Sequence, residues 1–278
     1  MRSLPWLGRA TAFLLLTAAG AARAESQPLA LADDPFEITD PLVAKPGEAE
    51  LNVVGVYDRA SSGAYRGTGA FDTELQLGVA PRLEIRIGQM GAYGNLDLRG
   101  RPATLEAMGS STSNGVPAGG GATRLGALYQ VTDGTGALPV VAILGRVRSL
   151  YGRDRPGYEG DLFGLFGYAL GPENRQVGLN LNIGWTTRFH PIRGERPGLY
   201  SISATLGQSL SRDTVAVVGY VRRQQERGAR DFSLVEIGMR QRLSEDLPVL
   251  GLAAGFGTNR DSPRWRVTMA AQWSFGGD

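Results

Sequence analysis

The stretch from Arg264 to Phe275 reads RWRVTMAAQWSF and alternates between two unlike kinds of side chain. Every second residue is apolar: Trp265, Val267, Met269, Ala271, Trp273 and Phe275. The residues between them are mostly polar. Since successive side chains of a β-strand point to opposite sides of the sheet, the stretch predicts a strand with one apolar and one polar face. The apolar face would meet either a protein core or lipid.

The same alternation recurs along the chain and predicts twelve strands. Their approximate ranges are 49–57, 69–80, 83–93, 122–131, 138–150, 160–170, 175–188, 199–210, 214–225, 231–243, 248–257 and 264–275. Helical periodicity is absent beyond the first residues. The chain is therefore expected to be an all-β protein.

The connections between the predicted strands alternate in length. Five are short, with the sequences PR (81–82), TDGTGA (132–137), GPEN (171–174), SRD (211–213) and SEDL (244–247). Most of the others are longer, and the longest runs from 94 to 121. Outer-membrane barrels have short periplasmic turns and longer outer loops. Residues 49–278 are thus predicted to form a transmembrane antiparallel up-and-down β-barrel with both ends in the periplasm.

A soluble β-sandwich is the alternative, because its core strands alternate too. A sandwich would place bulky aromatic residues in the middle of its strands, whereas here they recur at strand ends. Trp265 and Trp273 are separated by about 26 Å of strand, which suits the edges of an apolar band about 25 Å tall at the usual tilt. The aromatic residues predicted at the outer edge are Tyr57, Phe71, Tyr93, Trp185, Tyr200 and Phe232. The lipid interpretation is favoured.

The first 24 residues predict a secretory signal peptide. Arg2 and Arg9 precede an apolar run, which ends in small residues before a cleavage site at Ala24. The run, residues 10–22, is short for a membrane-spanning helix. Export and the barrel pattern together predict location in the cell outer membrane. The expected partners there are outer-membrane lipid and lipopolysaccharide, the barrel-assembly machinery and small-molecule solutes.

Residues 25–48 contain Pro28, Pro35, Pro41 and Pro46, too many for a strand. They are expected to form a periplasmic N-terminal tail or a short plug that enters the barrel. The tail is slightly favoured, because chain termini are commonly unanchored.

The composition excludes several kinds of site. There is no cysteine, so neither disulfides nor thiolate metal ligands are available. The sequence has 29 basic and 27 acidic residues, and three of the basic residues lie in the signal peptide. The mature chain then has 26 basic against 27 acidic residues, a net charge of −1, which gives no indication of nucleic-acid binding. The glycine-rich run GVPAGGGATRLG lacks the Lys and Ser or Thr of a phosphate loop, and no cofactor is expected.

Three stretches resemble a family of outer-membrane transporters named for the MetA pathway of phenol degradation. DDPFEITDPLVAKPGEAELNVVGVY (33–57) is similar to the mature amino terminus of that family. VAPRLEIRIGQ (79–89) resembles its tight turn and following strand, and GGATRLGALYQ (120–130) followed by LPVVAIL (138–144) resembles its lead into the fourth and fifth strands. The resemblance implies a barrel that passes small compounds, aromatic ones included, and it carries over no ligand-binding residue.

Charged residues on the predicted lumen face are the candidate functional residues. A charge facing lipid at mid-depth costs about 2–4 kcal/mol, which directs these side chains inward. The selectivity candidates near the outer mouth are Arg124, Arg146, Arg148, Arg264 and Arg266, with Asp72 and Glu74. An excess of arginine there would favour anions. A ladder of arginine–carboxylate pairs that fills and stiffens a narrow barrel is an equal alternative.

These patterns predict a channel or transporter-like barrel for passive uptake or efflux of small molecules, including aromatic or anionic ones. Two alternatives remain: a non-conducting structural or surface-interaction barrel, and an outer-membrane hydrolase. The enzyme rests on His190, the only histidine, which has no evident Ser or Asp partner in sequence. No catalytic, cofactor-binding or metal-binding residue is predicted.

Overall fold

The computed structural model describes residues 38–61, 66–94, 118–134, 138–151, 157–171, 176–191, 195–244 and 247–276. Their regular structure is all β. The strands are β1 (Ala49–Ala60), β2 (Gly67–Ala80), β3 (Leu83–Gly94), β4 (Ala118–Asp133), β5 (Val140–Tyr151), β6 (Gly157–Leu170), β7 (Val177–Phe189), β8 (Gly198–Ser211), β9 (Thr214–Arg223), β10 (Phe232–Arg242), β11 (Val249–Gly257) and β12 (Pro263–Phe275). Within these ranges no helix has the length and apolarity that a membrane span requires.

The strands close into one antiparallel barrel. Each strand pairs with its neighbours in sequence, and β1 pairs with β12 to complete the ring. The closing register runs from Ala49 opposite Phe275 to Arg59 opposite Trp265. Closure leaves no strand edge, so the backbone groups of the wall are hydrogen-bonded within the sheet. The predicted fold class, an up-and-down barrel of twelve strands, is confirmed.

The connections at the two rims differ in length. At one rim, Pro81 and Arg82 alone join β2 to β3, and Arg82 adopts a left-handed backbone conformation with φ 66°. Arg212 and Asp213 likewise join β8 to β9. The opposite rim carries the longer connections, and residues 95–117 there lie outside the described part of the chain. By the usual orientation of outer-membrane barrels, the rim with longer loops is the outer one.

The closing strand shows what its apolar face meets. Met269 is 61% exposed on the outside of the barrel, whereas Arg266 and Thr268 are buried inside it. The same division holds around the ring, where large apolar side chains are exposed and most inward charges are buried. A closed wall with an apolar exterior satisfies both requirements of a bilayer, paired backbone groups and apolar contact with lipid.

If the apolar exterior meets lipid, a charge placed on it will be costly only at mid-depth. Leu125 lies midway along β4 and Leu210 lies at the periplasmic end of β8, and both are exposed. We expect Leu125→Arg to lower the free energy of unfolding by about 2–4 kcal/mol and Leu210→Arg by about 0–1 kcal/mol. Urea unfolding in lipid vesicles, followed by tryptophan fluorescence, measures both. Equal costs for the two variants would contradict a lipid-facing surface.

Candidate functional site

The lumen is the part of the molecule where charged groups converge. Twelve strands enclose a narrow interior, and inward side chains of neighbouring and next-but-one strands meet there. The strands carry these buried charged residues: Asp58, Asp72, Glu84, Arg86, Arg124, Arg146, Arg148, Glu159, Asp161, Arg188, Arg223, Glu236, Arg240 and Arg266. Together with Glu74, they form what we call the arginine–carboxylate network. Charged residues are seldom this buried unless they are paired.

One part of the network runs down the wall formed by β2, β3 and β4. Arg124 donates to both carboxylate oxygens of Asp72, at 2.7 Å each, and its Nη2 lies 3.0 Å from Glu74. Arg86 donates through Nε to Glu84 at 2.6 Å and reaches Glu74 at 3.4 Å. Glu74 therefore links two arginines, and the chain of contacts extends from mid-lumen towards the periplasmic rim.

A second part runs up the wall formed by β5, β6 and β7. Asp161 accepts from Arg146 Nε at 2.8 Å and from Arg148 Nη2 at 3.0 Å. Arg148 also lies 2.9 Å from Glu159, which accepts from Arg188 Nε at 3.1 Å. Arg188 continues to Glu226 in the outer connection after β9. This part therefore ties the middle of the lumen to the outer rim.

A third part lies at the outer end of β1 and β12. Arg266 binds both oxygens of Asp58, at 2.8 and 3.1 Å. Its guanidinium lies 5.3 Å from the ring centre of Phe232, and Arg223 lies 5.9 Å from the same ring. Cation–π contacts of this kind stabilise a desolvated arginine. Phe232 is thus buried inside the barrel, and not at the lipid edge that its position at a strand end suggests.

Six of the seven selectivity candidates lie in the lumen: Arg124, Arg146, Arg148, Arg266, Asp72 and Glu74. The seventh, Arg264, does not follow the predicted alternation. Ala60 pairs with Pro263 and Arg59 with Trp265, which leaves Arg264 as the extra residue of a β-bulge. A bulge interrupts the alternation of faces, and the side chain of Arg264 is exposed.

The sequence suggests excess positive charge at the outer mouth because only Asp72 and Glu74 are expected at that level. The structure adds three carboxylates there: Asp58 on Arg266, and Glu159 and Asp161 on Arg146 and Arg148. Among the residues that the structure describes, the network has eight arginines and seven carboxylates, Glu74 included. Arg124, Arg146, Arg148 and Arg266 therefore each lie at ion-pairing distance from a carboxylate.

The periplasmic half of the lumen holds a further element, residues 38–48, which we call the inner segment. The amide of Ala44 donates to the inward carboxylate of Glu84 at 2.8 Å, and the side-chain amide of Asn182 donates to the carbonyl of Thr39 at 3.0 Å. Val43 packs on an apolar cluster of the lumen that includes Leu144. These contacts with β3, β5 and β7 place the segment against several sides of the inner wall.

Two glycines of the wall make room for the inner segment. A Cβ at Gly78 would collide with the carbonyl oxygen of Lys45, and a Cβ at Gly167 would collide with the ring of Pro41. The backbone of Gly47 also hydrogen-bonds to Gly78, with N donating to O at 3.0 Å. The described part of the segment therefore packs against the inner wall of the barrel.

His190 lies away from the lumen. It follows β7 in an outer connection, is exposed, and has a left-handed backbone with φ 59°. Among the residues that the structure describes, no group of three or more His, Asp or Glu side chains is arranged to hold a metal ion.

Comparisons with known proteins extend the description of the fold. No family model matches the chain, and no curated protein matches it significantly. The COG4313 outer-membrane channel from Pseudomonas putida F1 is similar in structure, with a TM-score of 0.58, 11% identity, and coverage of 87% of this chain and 100% of that one. The fold is that of an outer-membrane β-barrel. The β domain of the Bordetella autotransporter BrkA is also similar, with a TM-score of 0.52, 12% identity, and coverage of 83% and 100%.

The pairing inside this barrel predicts a large cost for removing one shared carboxylate. Asp161 has no exposed side-chain surface and serves two arginines. We expect Asp161→Asn to lower the free energy of unfolding by about 3–5 kcal/mol, because it leaves buried guanidinium charge uncompensated. Urea unfolding in vesicles measures the change.

The matched control is Asp133→Asn. Asp133 pairs with Arg82 at the periplasmic turn, where both side chains are about half exposed. An exposed pair contributes roughly 0–1 kcal/mol, so this variant should unfold nearly as the wild type does. Similar losses in the two variants would contradict the buried network.

Proposed function

We propose that the protein is an outer-membrane channel for passive passage of small molecules, and that the inner segment restricts its lumen. The observation that supports this proposal is the construction of the periplasmic half of the lumen. The space there is occupied by residues 38–48, which belong to no strand of the wall. A barrel with a purely structural role could fill that space with wall side chains, whereas here Gly78 and Gly167 leave it open to the segment.

The lumen wall also offers groups that can complete hydrogen bonds with water or solute. Both polar atoms of the Asn52 side chain are buried, and neither has a hydrogen-bond partner among the described protein groups. Its cross-strand neighbours on the inward face are Glu74 and Gln272. A buried amide normally requires a partner, so this side of the lumen suits a hydrated polar path along β12, β1 and β2.

A non-conducting barrel is the second candidate, and the arginine–carboxylate network favours it. The network links neighbouring and next-but-one strands along the lumen wall and is buried, which would suit a filled interior. The two candidates differ in one property: a channel needs a path through the lumen once the inner segment moves, and a filled barrel has none.

We also propose that the chain belongs to the transporter family named for the MetA pathway of phenol degradation. The support is the similarity of residues 33–57, 79–89, 120–130 and 138–144 to that family. The passage of small solutes, aromatic ones included, is the function that this membership implies. A narrow barrel of twelve strands suits small solutes for the same geometric reason.

Planar-bilayer recording tests the channel directly. The wild type is expected to show small, infrequent currents, because the inner segment occupies the periplasmic half of the lumen. A variant that lacks residues 25–44 but keeps Gly47 and Glu48 beside Gly78 should conduct several-fold more current. The matched control lacks only residues 25–36 and should behave as the wild type does.

Two results would contradict the proposal. If the folded 25–44 deletion passes no current and no solute, the barrel is non-conducting. If the two deletions behave alike, the inner segment does not restrict the lumen. Slower migration after boiling than before shows that each deletion variant is folded.

The charge balance of the lumen predicts weak ion selectivity. The arginine–carboxylate network has eight arginines and seven carboxylates, Glu74 included, and none of them lies in residues 25–44, so neither sign dominates the path. Under a salt gradient, the 25–44 deletion should therefore show a reversal potential close to zero. Selectivity arises from rings of one sign of charge, and a reversal potential near that of chloride would instead support the arginine excess suggested by the sequence.

A further inference from the structure

The outer surface of the barrel has a groove near its outer rim. It lies across β12, β1, β2, β3 and β4, has a volume of about 730 Å³, and is lined by Gly55, Tyr57, Gly69, Phe71, Tyr93 and Met269 among others. We call it the outer groove. Its volume falls within the range of small-molecule sites, about 300–1,000 Å³. Its location on the lipid-facing surface separates it from the lumen.

The groove has a floor of glycines and walls of aromatic rings. An added Cβ at Gly55 or Gly69 would meet no atom within 4 Å, so the floor is open to the outside. Tyr57 and Tyr93 are the cross-strand neighbours of Gly69, and both rings are exposed. The depression therefore results from alternation of rings and glycines across neighbouring strands.

The wall behind the groove is continuous. Pairing of β1 with β2 extends from Ala49 to Arg59, and pairing of β3 with β4 extends from Leu83 to Gly94. An occupant can enter the groove without breaking any backbone hydrogen bond of the wall. The strand pairing behind the groove has no gap through which a solute could cross. An occupant therefore comes from the membrane and stays on the outside of the barrel.

Two exposed arginines lie beside the outer end of the groove. Arg59 follows Tyr57 on the same outward face, one strand repeat closer to the rim, and pairs with Trp265 and Gly67. Arg264 is the bulged residue next to Trp265, and it too is exposed. Neither side chain forms an ion pair with any residue in the described ranges. The rings of Tyr57 and Trp265, 5.4 Å apart, separate these charges from the apolar groove.

We propose that the outer groove binds lipopolysaccharide, with an acyl chain in the groove and a phosphate of its lipid A held by Arg59 and Arg264. The groove supplies an apolar channel within the outer leaflet, and the two guanidinium groups supply charge at headgroup level. Arginine binds phosphate through charge-assisted hydrogen bonds, which gives this lipid an advantage over zwitterionic phospholipid. The proposal rests on the outer-membrane location and is independent of whether the lumen conducts.

Binding is measured on the folded barrel in detergent free of lipopolysaccharide, by titration with three probes. The probes are rough lipopolysaccharide, the same material after removal of its lipid A phosphates, and phosphatidylethanolamine. We expect the phosphorylated probe to bind about tenfold more tightly than the other two, since two charge-assisted contacts are lost with the phosphate. The double variant Arg59→Gln, Arg264→Gln should bind the phosphorylated and dephosphorylated probes alike.

Gly69→Leu tests the groove separately from the charges. It fills the open floor, and it should weaken both forms of lipopolysaccharide by about tenfold, because the acyl chain is displaced. The matched controls are Gly145→Leu, an outward glycine on β5 with equally open surroundings, and Arg260→Gln, an exposed arginine already near Asp261. Both controls should bind as the wild type does.

Three outcomes would overturn the proposal. Equal binding of phosphatidylethanolamine and lipopolysaccharide by the wild type would make the groove a general lipid contact. Unchanged binding by Gly69→Leu would place the lipid elsewhere. A dimer that Gly69→Leu dissociates would make the occupant a second copy of the chain. A channel that conducts normally while failing these tests would leave the proposed function intact.

Discussion

The structure depends on one requirement, that every backbone N–H and C=O in a bilayer be hydrogen-bonded within the protein. Closure of β1 on β12 meets it, because the register from Ala49 opposite Phe275 to Arg59 opposite Trp265 removes the last two sheet edges. Closure then divides the residues of each strand between lipid and lumen. The alternation of RWRVTMAAQWSF follows from this division, with Met269 outside and Arg266 inside.

A narrow closed barrel determines how charges can be held inside it. A guanidinium group directed inward in a twelve-stranded ring lies close to neighbouring strands, and its burial there leaves little water to solvate it. Each buried arginine therefore needs carboxylates supplied by nearby strands, as Asp72 and Glu74 of β2 do for Arg124 of β4. The same crowding explains why apolar side chains such as Leu144 and Phe232 fill the remaining inward positions. The pairing of the charges and the narrowness of the lumen thus have one cause.

The sequence alone predicts the positions of the strands well, but it predicts the ion-pair partners of their charged residues poorly. Period-two alternation is a property of each strand by itself, so all twelve strands are found near their true positions. Ion pairs depend on strand ends and register. The alternation predicts that the first strand ends at 57 and the sixth begins at 160, which leaves out Asp58 and Glu159, the partners of Arg266 and Arg148. Arg264 was misplaced because a bulge shifts alternation locally without a signal in composition.

The inner segment shows a further limit of prediction from sequence. Its position in the lumen also accounts for its proline content. A chain inside a lumen must satisfy its backbone polar groups with side chains of the wall, and here Glu84 of β3 and Asn182 of β7 do so for Ala44 and Thr39. No local pattern brings these residues together, because they are distant in sequence. Proline has no N–H group, so a proline such as Pro41 enters the lumen without a donor that would require a partner. The prolines of residues 25–48 exclude this stretch from the sheet. They also lower the free-energy cost of placing the described part of it inside the barrel, because they bring fewer N–H groups that need a partner. The ring of Pro41 packs over Gly167 there.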